Sequence, residues 1–484
     1  MSQTKGAAAA NHAVEAAGIT ETVTVTAPAS KSVSHRYLMG AALAGGTSIV
    51  RHTLESRDLE RTRAILCAAG ATMAELPEST PASGAWQVTG MNGAPRGGTA
   101  AAPLSCDVEE SGTTCRLLTA VLAAGQGVFR IHGAARMHER PIAELTDALA
   151  ALGTQTSFEE KPDCPPCVLT AHGLDPARCG GIVELGMDIS SQYFSGLLLA
   201  APMGPAPLTL ALGGRKAVSW PYVGLTLQCL TDYGIRFEVQ TRRDTGAPWQ
   251  PMGDGAWRRL DEALPGCLRI TVYPGPYRAG EYTVEGDWSG ASYLLAAGAI
   301  GRRPVRVEGL RADSLQGDRA MLNILQRMGA RVDVQPLAVT VYPSRLHGVD
   351  LDMGHCPDLV PTVATVAAFA QGSTRIRNVA HLRHKESDRI KAPATELGKT
   401  GVVVDELSDG MLVNGLGGRN NGKPDHPILP DGQTLSAHND HRIAMSLALL
   451  DLCRSEAVVR SRLDDPSVVG KSFPQFWNIW EKLA

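Results

Sequence analysis

The sequence predicts an α/β protein of two domains, built from a repeated unit of two helices and about four short strands. Three observations predict this class: helices that end at a glycine, polar clusters that open Ala/Leu-rich helices, and β-branched runs between them. The chain has 484 residues, which is too long for one compact core and suggests two or three domains.

The first observation concerns the ends of apolar helical segments. Glycine just past a helix supplies the left-handed cap, and a β-rich stretch follows. The signals are Ala69-Gly70-Ala71, Leu152-Gly153-Thr154, Tyr233-Gly234-Ile235, Met328-Gly329-Ala330 and Leu397-Gly398-Lys399. A last helix is predicted over residues 473–483. These six helices are spaced about 80 residues apart, as expected of an internal repeat.

The second observation is a series of polar clusters at the starts of other helices. Ser and Asp are good N-caps, and the free N–H groups of a helix start favour anions. The clusters are Lys31-Ser32, Ser111-Gly112-Thr113, Ser190-Ser191-Gln192, Ser289-Gly290-Ala291, Asp358 and Asp440-His441-Arg442. An anion-binding site assembled from helix starts is therefore expected.

Short β-branched runs at residues 128–131, 305–307 and 338–342 supply the strands between the helices. Six units divide naturally into two domains of three units, with the site in the cleft between them. Residues 241–265 and 414–433 are rich in Gly, Pro and polar side chains and fit no repeat, so both are interpreted as surface insertions.

Composition narrows the class of partner. The chain carries 46 basic and 49 acidic residues, a net charge of −3, which argues against nucleic-acid or membrane-surface binding by a global field. Residues 1–20 resemble neither a signal nor a transit peptide, so we expect a disordered tail on a cytoplasmic protein.

Ten cysteines without framework spacing predict free thiols. Cys164 and Cys167 are interpreted as part of a loop before a strand, with a redox pair as the alternative.

Eight motifs in one order resemble the 5-enolpyruvylshikimate-3-phosphate synthase family, and the resemblance covers the chain from about residue 22 to its end. The motifs are residues 27–36 (APASKSVSHR), 111–116 (SGTTCR), 136–141 (RMHERP), 190–192 (SSQ), 284–287 (VEGD), 385–389 (KESDR), 439–442 (NDHR) and 471–474 (KSFP). Each motif alone is weak, but the ordered set is specific.

The resemblance implies a two-domain inside-out α/β barrel of six βαβαββ repeats, three per domain. The upper domain would be residues 30–285, and the lower domain residues 21–29 together with 286–484. The implied reaction transfers the enolpyruvyl group of phosphoenolpyruvate to the 5-hydroxyl of shikimate 3-phosphate and releases phosphate. This is a step of the shikimate pathway towards chorismate and the aromatic amino acids. A monomer is expected, with these two small molecules as partners and no cofactor.

The resemblance also assigns residues to the two substrates, which together carry two phosphates and two carboxylates. Shikimate 3-phosphate would be held by Lys31, Ser32, Arg36, Ser190, Ser191, Gln192, Ser219, Tyr222, Asp358, His381 and Lys385. Phosphoenolpyruvate would be held by Lys31, Gly112, Arg136, Gln192, Arg389, His441, Arg442 and Lys471. Planar Arg forks suit carboxylate and phosphate, and Lys acts as a compact charge.

Catalysis requires a group that takes the hydroxyl proton and an acid that serves the methylene carbon. Asp358 and Glu386 are the candidate carboxylates, and Lys31 is a rival acid–base group. No metal is expected, because the cations can stabilise the developing charge.

The sequence departs from the common family pattern at Glu110 and His381, where Asn is frequent. It also departs at Trp220, which replaces a Lys, and at Ala29, which replaces a Gly.

Two other functions fit the same fold. A related enolpyruvyl transferase acts on UDP-N-acetylglucosamine, but that family has Asn where this chain has Ser32, and it uses a cysteine on a mobile loop. Cys115 lies inside an apolar helix and is interpreted as a core thiol. The second alternative is a catalytically inactive binding module, which the presence of Lys31, Asp358 and Glu386 disfavours.

Overall fold

The structure is a computed structural model that describes residues 21–80, 83–93, 95–260, 262–418, 426–453 and 458–484. The predicted tail, residues 1–20, and the middle of the second insertion lie outside these ranges. The α-helices, numbered in chain order, are α1 Lys31–Leu43, α2 Arg57–Ala68, α3 Gly112–Ala123, α4 Ala143–Ala151, α5 Ser191–Ala200, α6 Pro221–Asp232, α7 Trp288–Ile300, α8 Met321–Arg327, α9 Val360–Ala368, α10 Lys391–Gly398, α11 His441–Ala448, α12 Val459–Arg462 and α13 Phe476–Trp480.

The strands of the described residues are short, mostly four to seven residues. In chain order they are β1 Val23–Thr26, β2 Thr47–Thr53, β3 Thr72–Glu75, β4 Gly84–Thr89, β5 Leu104–Asp107, β6 Gln126–His132, β7 Gln155–Phe158, β8 Cys167–His172, β9 Ile182–Met187, β10 Leu208–Ala217, β11 Phe237–Thr241, β12 Gln250–Pro251, β13 Leu268–Val272, β14 Glu281–Thr283, β15 Val305–Glu308, β16 Arg331–Gln335, β17 Ala338–Tyr342, β18 Asp350–Asp352, β19 Ser373–Arg377, β20 Val403–Leu407 and β21 Gly410–Asn414.

The described strands form five sheets that share one topology. Their strand orders are β14-β2-β4-β3, β5-β6-β8-β7, β9-β10-β13-β11-β12, β1-β15-β17-β16 and β18-β19-β21-β20. In each sheet the first two strands are parallel and the rest are antiparallel, as in β5–β6 followed by β6–β8 and β8–β7. A parallel pair needs a crossover, which helix α3 supplies between β5 and β6. The result is a βαβαββ unit.

The chain passes twice between two hydrophobic cores. Strand β1 pairs in parallel with β15, although nearly 280 residues separate them, and β14 pairs in parallel with β2. The first core draws its buried side chains from residues 29–284. The second draws them from Val25, Ala27 and residues 288–483. The cores therefore meet at the two passages, near residues 27–29 and 284–288, while the exact domain limits stay a prediction.

The predicted α/β class is confirmed, and so are the three strand runs, which fall in β6, β15 and β17. Some details differ. Helix α10 includes Gly398, and the left-handed residue after it is Gly401. In the sixth unit, the described residues after β21 form one parallel bridge, Leu435 to Leu463, instead of a sheet.

The first insertion also differs from a plain surface loop. Its β12 pairs with β11, and Trp257 is buried edge-on against Phe237, with ring centroids 5.7 Å apart. Trp220 donates its indole N–H to the Leu260 carbonyl at 2.9 Å. The segment is therefore attached to the third sheet.

Candidate active site

One cavity lies between the two cores, and the starts of several helices converge on it. Residues at the starts of α1, α3, α5, α7 and α11 line it, and Pro357 and Asp358 join them from the 3₁₀ turn before α9. Four of these helices are capped by a side chain, as Ser190 caps α5 and Asp440 caps α11. Free N–H groups and the helix dipoles make the cavity attractive to anions.

Two arginines, Arg389 and Arg442, bind three carboxylates at the centre of the cavity wall. Arg389 donates to Asp358 at 2.9 Å, to Glu386 at 3.0 Å and to Asp440 at 2.8 Å. Arg442 donates to the other Asp358 oxygen at 2.9 Å and also contacts Ser289. Because each carboxylate oxygen has a charged donor, this network is rigid and holds the side chains at fixed positions.

The acidic members of the network are ionised. Burial alone would raise the pKa of Asp358, but Arg442, Arg389 and Lys385 hold it well below its usual range. Tyr222 also donates its hydroxyl to Asp358 at 3.0 Å. Burial opposes ionisation of Glu386 in the same way, and Lys471, His441 and Arg389 lower its pKa well below normal.

The predicted lysines occupy three parts of the site. Lys31 opens α1 and forms an ion pair with Asp58, a carboxylate the sequence analysis did not single out. Lys471 lies 3.4 Å from Glu386 and 3.4 Å from Glu110. Burial lowers the pKa of Lys385 to about 8, partly opposed by Asp358.

Most of the predicted residues are brought together at one cavity. The predicted residues that line it are Lys31, Ser32, Gly112, Ser190, Ser191, Gln192, Ser219, Tyr222, Asp358, Lys385, Glu386, Arg389, His441 and Arg442. Lys471 reaches the site through its contact with Glu386, although its neighbour Ser472 forms the wall.

Three predicted residues lie away from the cavity wall. Arg36 is buried behind it and donates to the carbonyl oxygens of Ser32 and Tyr222, at 2.8 and 2.9 Å. Arg136 is about half exposed, pairs with Glu139 and reaches the Lys385 carbonyl at 3.4 Å. His381 is buried, and burial lowers its pKa to about 3, so its ring is neutral.

The cavity contains charged residues that the sequence analysis missed. Arg116 donates to Gln192 at 2.9 Å, and Gln192 donates to Thr113 at 2.9 Å. Arg140 is buried beside Gly112 and donates to the Glu110 carbonyl at 3.3 Å. Arg116 lies in the motif at residues 111–116, and Arg140 lies in the motif at residues 136–141. The motifs therefore contained both arginines, although the periodicity of the sequence gave no sign of them.

Asp318 is a further carboxylate in the wall that no motif indicated. It is buried, and its Oδ1 has no hydrogen-bond partner among the described residues. Burial and the nearby Asp358 raise the pKa of Asp318 to about 7. The site therefore combines ionised carboxylates, among them Asp358 and Glu386, with one that holds a proton near neutrality.

Glu386, Asp440 and His441 could each offer one ligand atom to a cation, because these atoms lie within 4.8 Å of one another. The Arg389 guanidinium already bonds to both carboxylates and supplies the positive charge there.

Within the described ranges, no helix is both long and apolar enough to cross a membrane.

Comparison with known proteins gives the family. Residues 19–250 and 264–480 match the model of the EPSP synthase family, 3-phosphoshikimate 1-carboxyvinyltransferase. The chain belongs to this family. Relatives of that name are 38% identical in Syntrophobacter fumaroxidans and 37% identical in Methanosphaerula palustris. The first match covers 95% of this chain and 96% of the relative, and the second covers 94% and 95%. The predicted family and its transferase class are confirmed.

Solved structures show the same fold. The EPSP synthase of Acinetobacter baumannii superposes with a TM-score of 0.68 at 23% identity, covering 96% of both chains. The enolpyruvyl transferase NikO of Streptomyces tendae gives 0.66 at 20% identity, covering 96% of this chain and 95% of its own. Two differently named enolpyruvyl transferases thus share the architecture, so the acceptor must be inferred from the site.

Proposed function

We propose that this chain transfers the enolpyruvyl group of phosphoenolpyruvate to the 5-hydroxyl of shikimate 3-phosphate and releases phosphate. The main support for the proposal is the partly buried network of Asp358, Glu386, Arg389 and Arg442, which lies among converging helix starts. A family member with this network has ionised carboxylates for proton transfer and cations for two anionic substrates. Membership in the family supports the substrate pair.

The distribution of polar groups suggests a place for each substrate. Shikimate 3-phosphate would bind Lys31, Ser32, Ser190, Ser191, Gln192, Ser219, Tyr222, Asp358 and Lys385, whose hydroxyls and charges suit a polyol phosphate. Phosphoenolpyruvate would bind Lys31, Gly112, Arg136, Gln192, Arg389, His441, Arg442 and Lys471. Arg36 would act by holding the Ser32 and Tyr222 backbone, and His381 would act as a neutral neighbour of Lys385.

The reaction joins the 5-hydroxyl oxygen to C2 of phosphoenolpyruvate while C3 gains a proton, giving a tetrahedral adduct. Loss of phosphate and of a C3 proton then restores the double bond. Asp358 would accept the hydroxyl proton, because Tyr222 and two arginines hold its oxygens towards the acceptor side. Glu386 would exchange the C3 proton. A bound dianion offsets the cations that keep Glu386 ionised, which raises its pKa towards that of a useful acid. Lys31 remains the rival donor.

Phosphate release from the purified protein tests the function. Release should require phosphoenolpyruvate and shikimate 3-phosphate together, and the organic product should carry the enolpyruvyl group by mass spectrometry. UDP-N-acetylglucosamine serves as the competing acceptor and should give no release. Release with that acceptor instead, or binding of both substrates without turnover, would favour one of the two alternatives.

We also propose a cytoplasmic monomer. Nine cysteines within the described residues carry free thiols, which suits a reducing compartment. Light scattering coupled to gel filtration should give a mass near 51.2 kDa. A mass of twice that value would contradict the monomer.

A further inference from the structure

Glu110 reaches across the cleft and places its carboxylate beside Lys471, one of the cations assigned to phosphoenolpyruvate. It precedes Ser111, the N-cap of α3, and its backbone carbonyl accepts a hydrogen bond from Arg140 at the cavity wall. Its side chain contacts residues that pack around the second core. One oxygen accepts from the Asn439 amide at 3.0 Å, and the other lies 3.4 Å from the Lys471 ammonium.

Lys471 is therefore shared between two carboxylates from opposite sides of the cleft. Glu386 contacts it at 3.4 Å and belongs to the buried arginine network. Glu110 is different, because 38% of its side chain is exposed and no arginine holds its carboxylate oxygens among the described contacts. Burial would lower the pKa of Lys471, but Glu386, Asp58 and Glu110 together raise it. The ammonium is charged, yet much of its charge is already neutralised.

An incoming anion must compete with Glu110 for this charge. A ligand phosphate or carboxylate that approaches Lys471 either displaces the Glu110 carboxylate or is repelled by it. Either outcome lowers the affinity for small anions without changing the groups that transfer protons. Such a repulsive element adjusts specificity as effectively as a new attraction does.

We propose that Glu110 is a specificity-determining residue that lowers the affinity of the site for phosphoenolpyruvate and for other small anions that need Lys471. The inference rests on the proposed function only in its choice of phosphoenolpyruvate as the anion. Glutamine at residue 110 keeps the shape of the side chain and can still accept the hydrogen bond from Asn439. Because glutamine is uncharged, the Lys471 ammonium is then free to pair with the ligand.

Steady-state phosphate release tests the proposal with Glu110→Gln and a matched control, Glu109→Gln. Glu109 is adjacent in sequence but pairs with Arg57 at 2.6 Å and Arg61 at 3.6 Å, away from the second core. At saturating shikimate 3-phosphate, Glu110→Gln should lower the KM for phosphoenolpyruvate about two- to fivefold, the span of one partly exposed charge pair. The KM for the acceptor should stay the same, and the control should match the parent protein.

The change should shrink as ionic strength rises, because Glu110 is partly exposed and salt screens its charge. An unchanged KM for phosphoenolpyruvate would overturn the proposal. A raised KM would also overturn it, since Glu110 would then act mainly as a bridge that closes the cleft. If the parent protein releases no phosphate, calorimetric binding of phosphoenolpyruvate to both variants gives the same comparison, so the two proposals fail separately. Thermal unfolding checks folding, and Glu110→Asn provides a second neutral variant.

Discussion

Asp358 and Glu386 are both ionised, and each side chain is 17% exposed, but their neighbours differ. Asp358 contacts Tyr222 and two arginines, in the part of the cavity assigned to the acceptor. Glu386 contacts Lys471 and lies 3.2 Å from His441, nearer the cations assigned to phosphoenolpyruvate. The two carboxylates should therefore respond differently when each becomes an amide, which keeps the shape and removes proton exchange.

Glu386→Gln should lower turnover while acceptor affinity stays nearly the same, the pattern of an interaction made chiefly in the transition state. Asp358→Asn should lower turnover and weaken acceptor binding together. The loss of turnover is expected to be about 10²–10⁴-fold in each case, the usual span for a positioned acid or base. Phosphate release and calorimetric titration with shikimate 3-phosphate measure the two effects. Near-normal turnover of Glu386→Gln would make Lys31 the leading proton donor.

Asp318 gives a prediction about stability and pH. Burial raises its pKa from 3.8 to about 7, so over that range the folded protein binds a proton that the unfolded chain has lost. Stability contributed by this group is therefore lost as pH rises towards about 7. Asp318→Asn removes the dependence. The melting temperature of Asp318→Asn minus that of the parent protein should be larger at about pH 8 than at about pH 5. An offset independent of pH would mean that Asp318 is ionised throughout.

The start of helix α3 shows how an element presents the site. Gly112 lies at its first turn, and a Cβ there would lie 2.5 Å from the Arg140 guanidinium. Gly112→Ala should therefore displace Arg140, which is buried and cannot shift freely. The KM for phosphoenolpyruvate should rise roughly ten- to a hundredfold, since a hydrogen bond to a charged group contributes about 1.5–3 kcal/mol.

Gly224→Ala is the matched control for this change. Gly224 lies within helix α6, and a Cβ there meets no atom within 4 Å. Alanine in a helix interior should raise stability by about 0.5–1 kcal/mol and leave the KM values as they are. Thermal unfolding and phosphate release separate the two variants. An unchanged KM in Gly112→Ala would show that the start of α3 at Gly112 does not hold phosphoenolpyruvate.

Elements with local signals could be predicted from the sequence. Gly70, Gly153, Gly234 and Gly329 all have positive φ values after their helices, because only the local backbone decides a left-handed cap. The polar clusters likewise lie at helix starts. Asp318 and Asp58 gave no such signal, because their positions depend on contacts between segments far apart in the chain. Trp257 was missed for the same reason, since its partner Phe237 belongs to the sheet rather than to the insertion.

At the scale of the molecule, the two cores meet around a site held by polar contacts. Tyr222 bonds to Asp358, the Ser219 N–H donates to the Gly354 carbonyl at 3.3 Å, and Arg136 reaches the Lys385 carbonyl. The space inside is about 100 Å³. Pockets for small ligands are usually about 300–1,000 Å³. Two phosphorylated substrates therefore require the cleft to open before they enter.

Opening and closing should be visible by small-angle X-ray scattering. The polar contacts across the cleft exchange readily with water, so the ligand-free protein should be more extended than this structure. Saturating shikimate 3-phosphate should reduce the radius of gyration, because an anionic ligand between the cations on both sides favours closure. The scattering curve with ligand should then fit the closed structure.

Arg136→Ala removes one contact across the cleft, so the ligand should reduce its radius of gyration less. Arg130→Ala, whose partner Glu159 lies on the outer surface, should compact like the parent protein. A ligand-free curve that already fits the closed structure, or one that saturating ligands leave unchanged, would contradict this account of substrate entry.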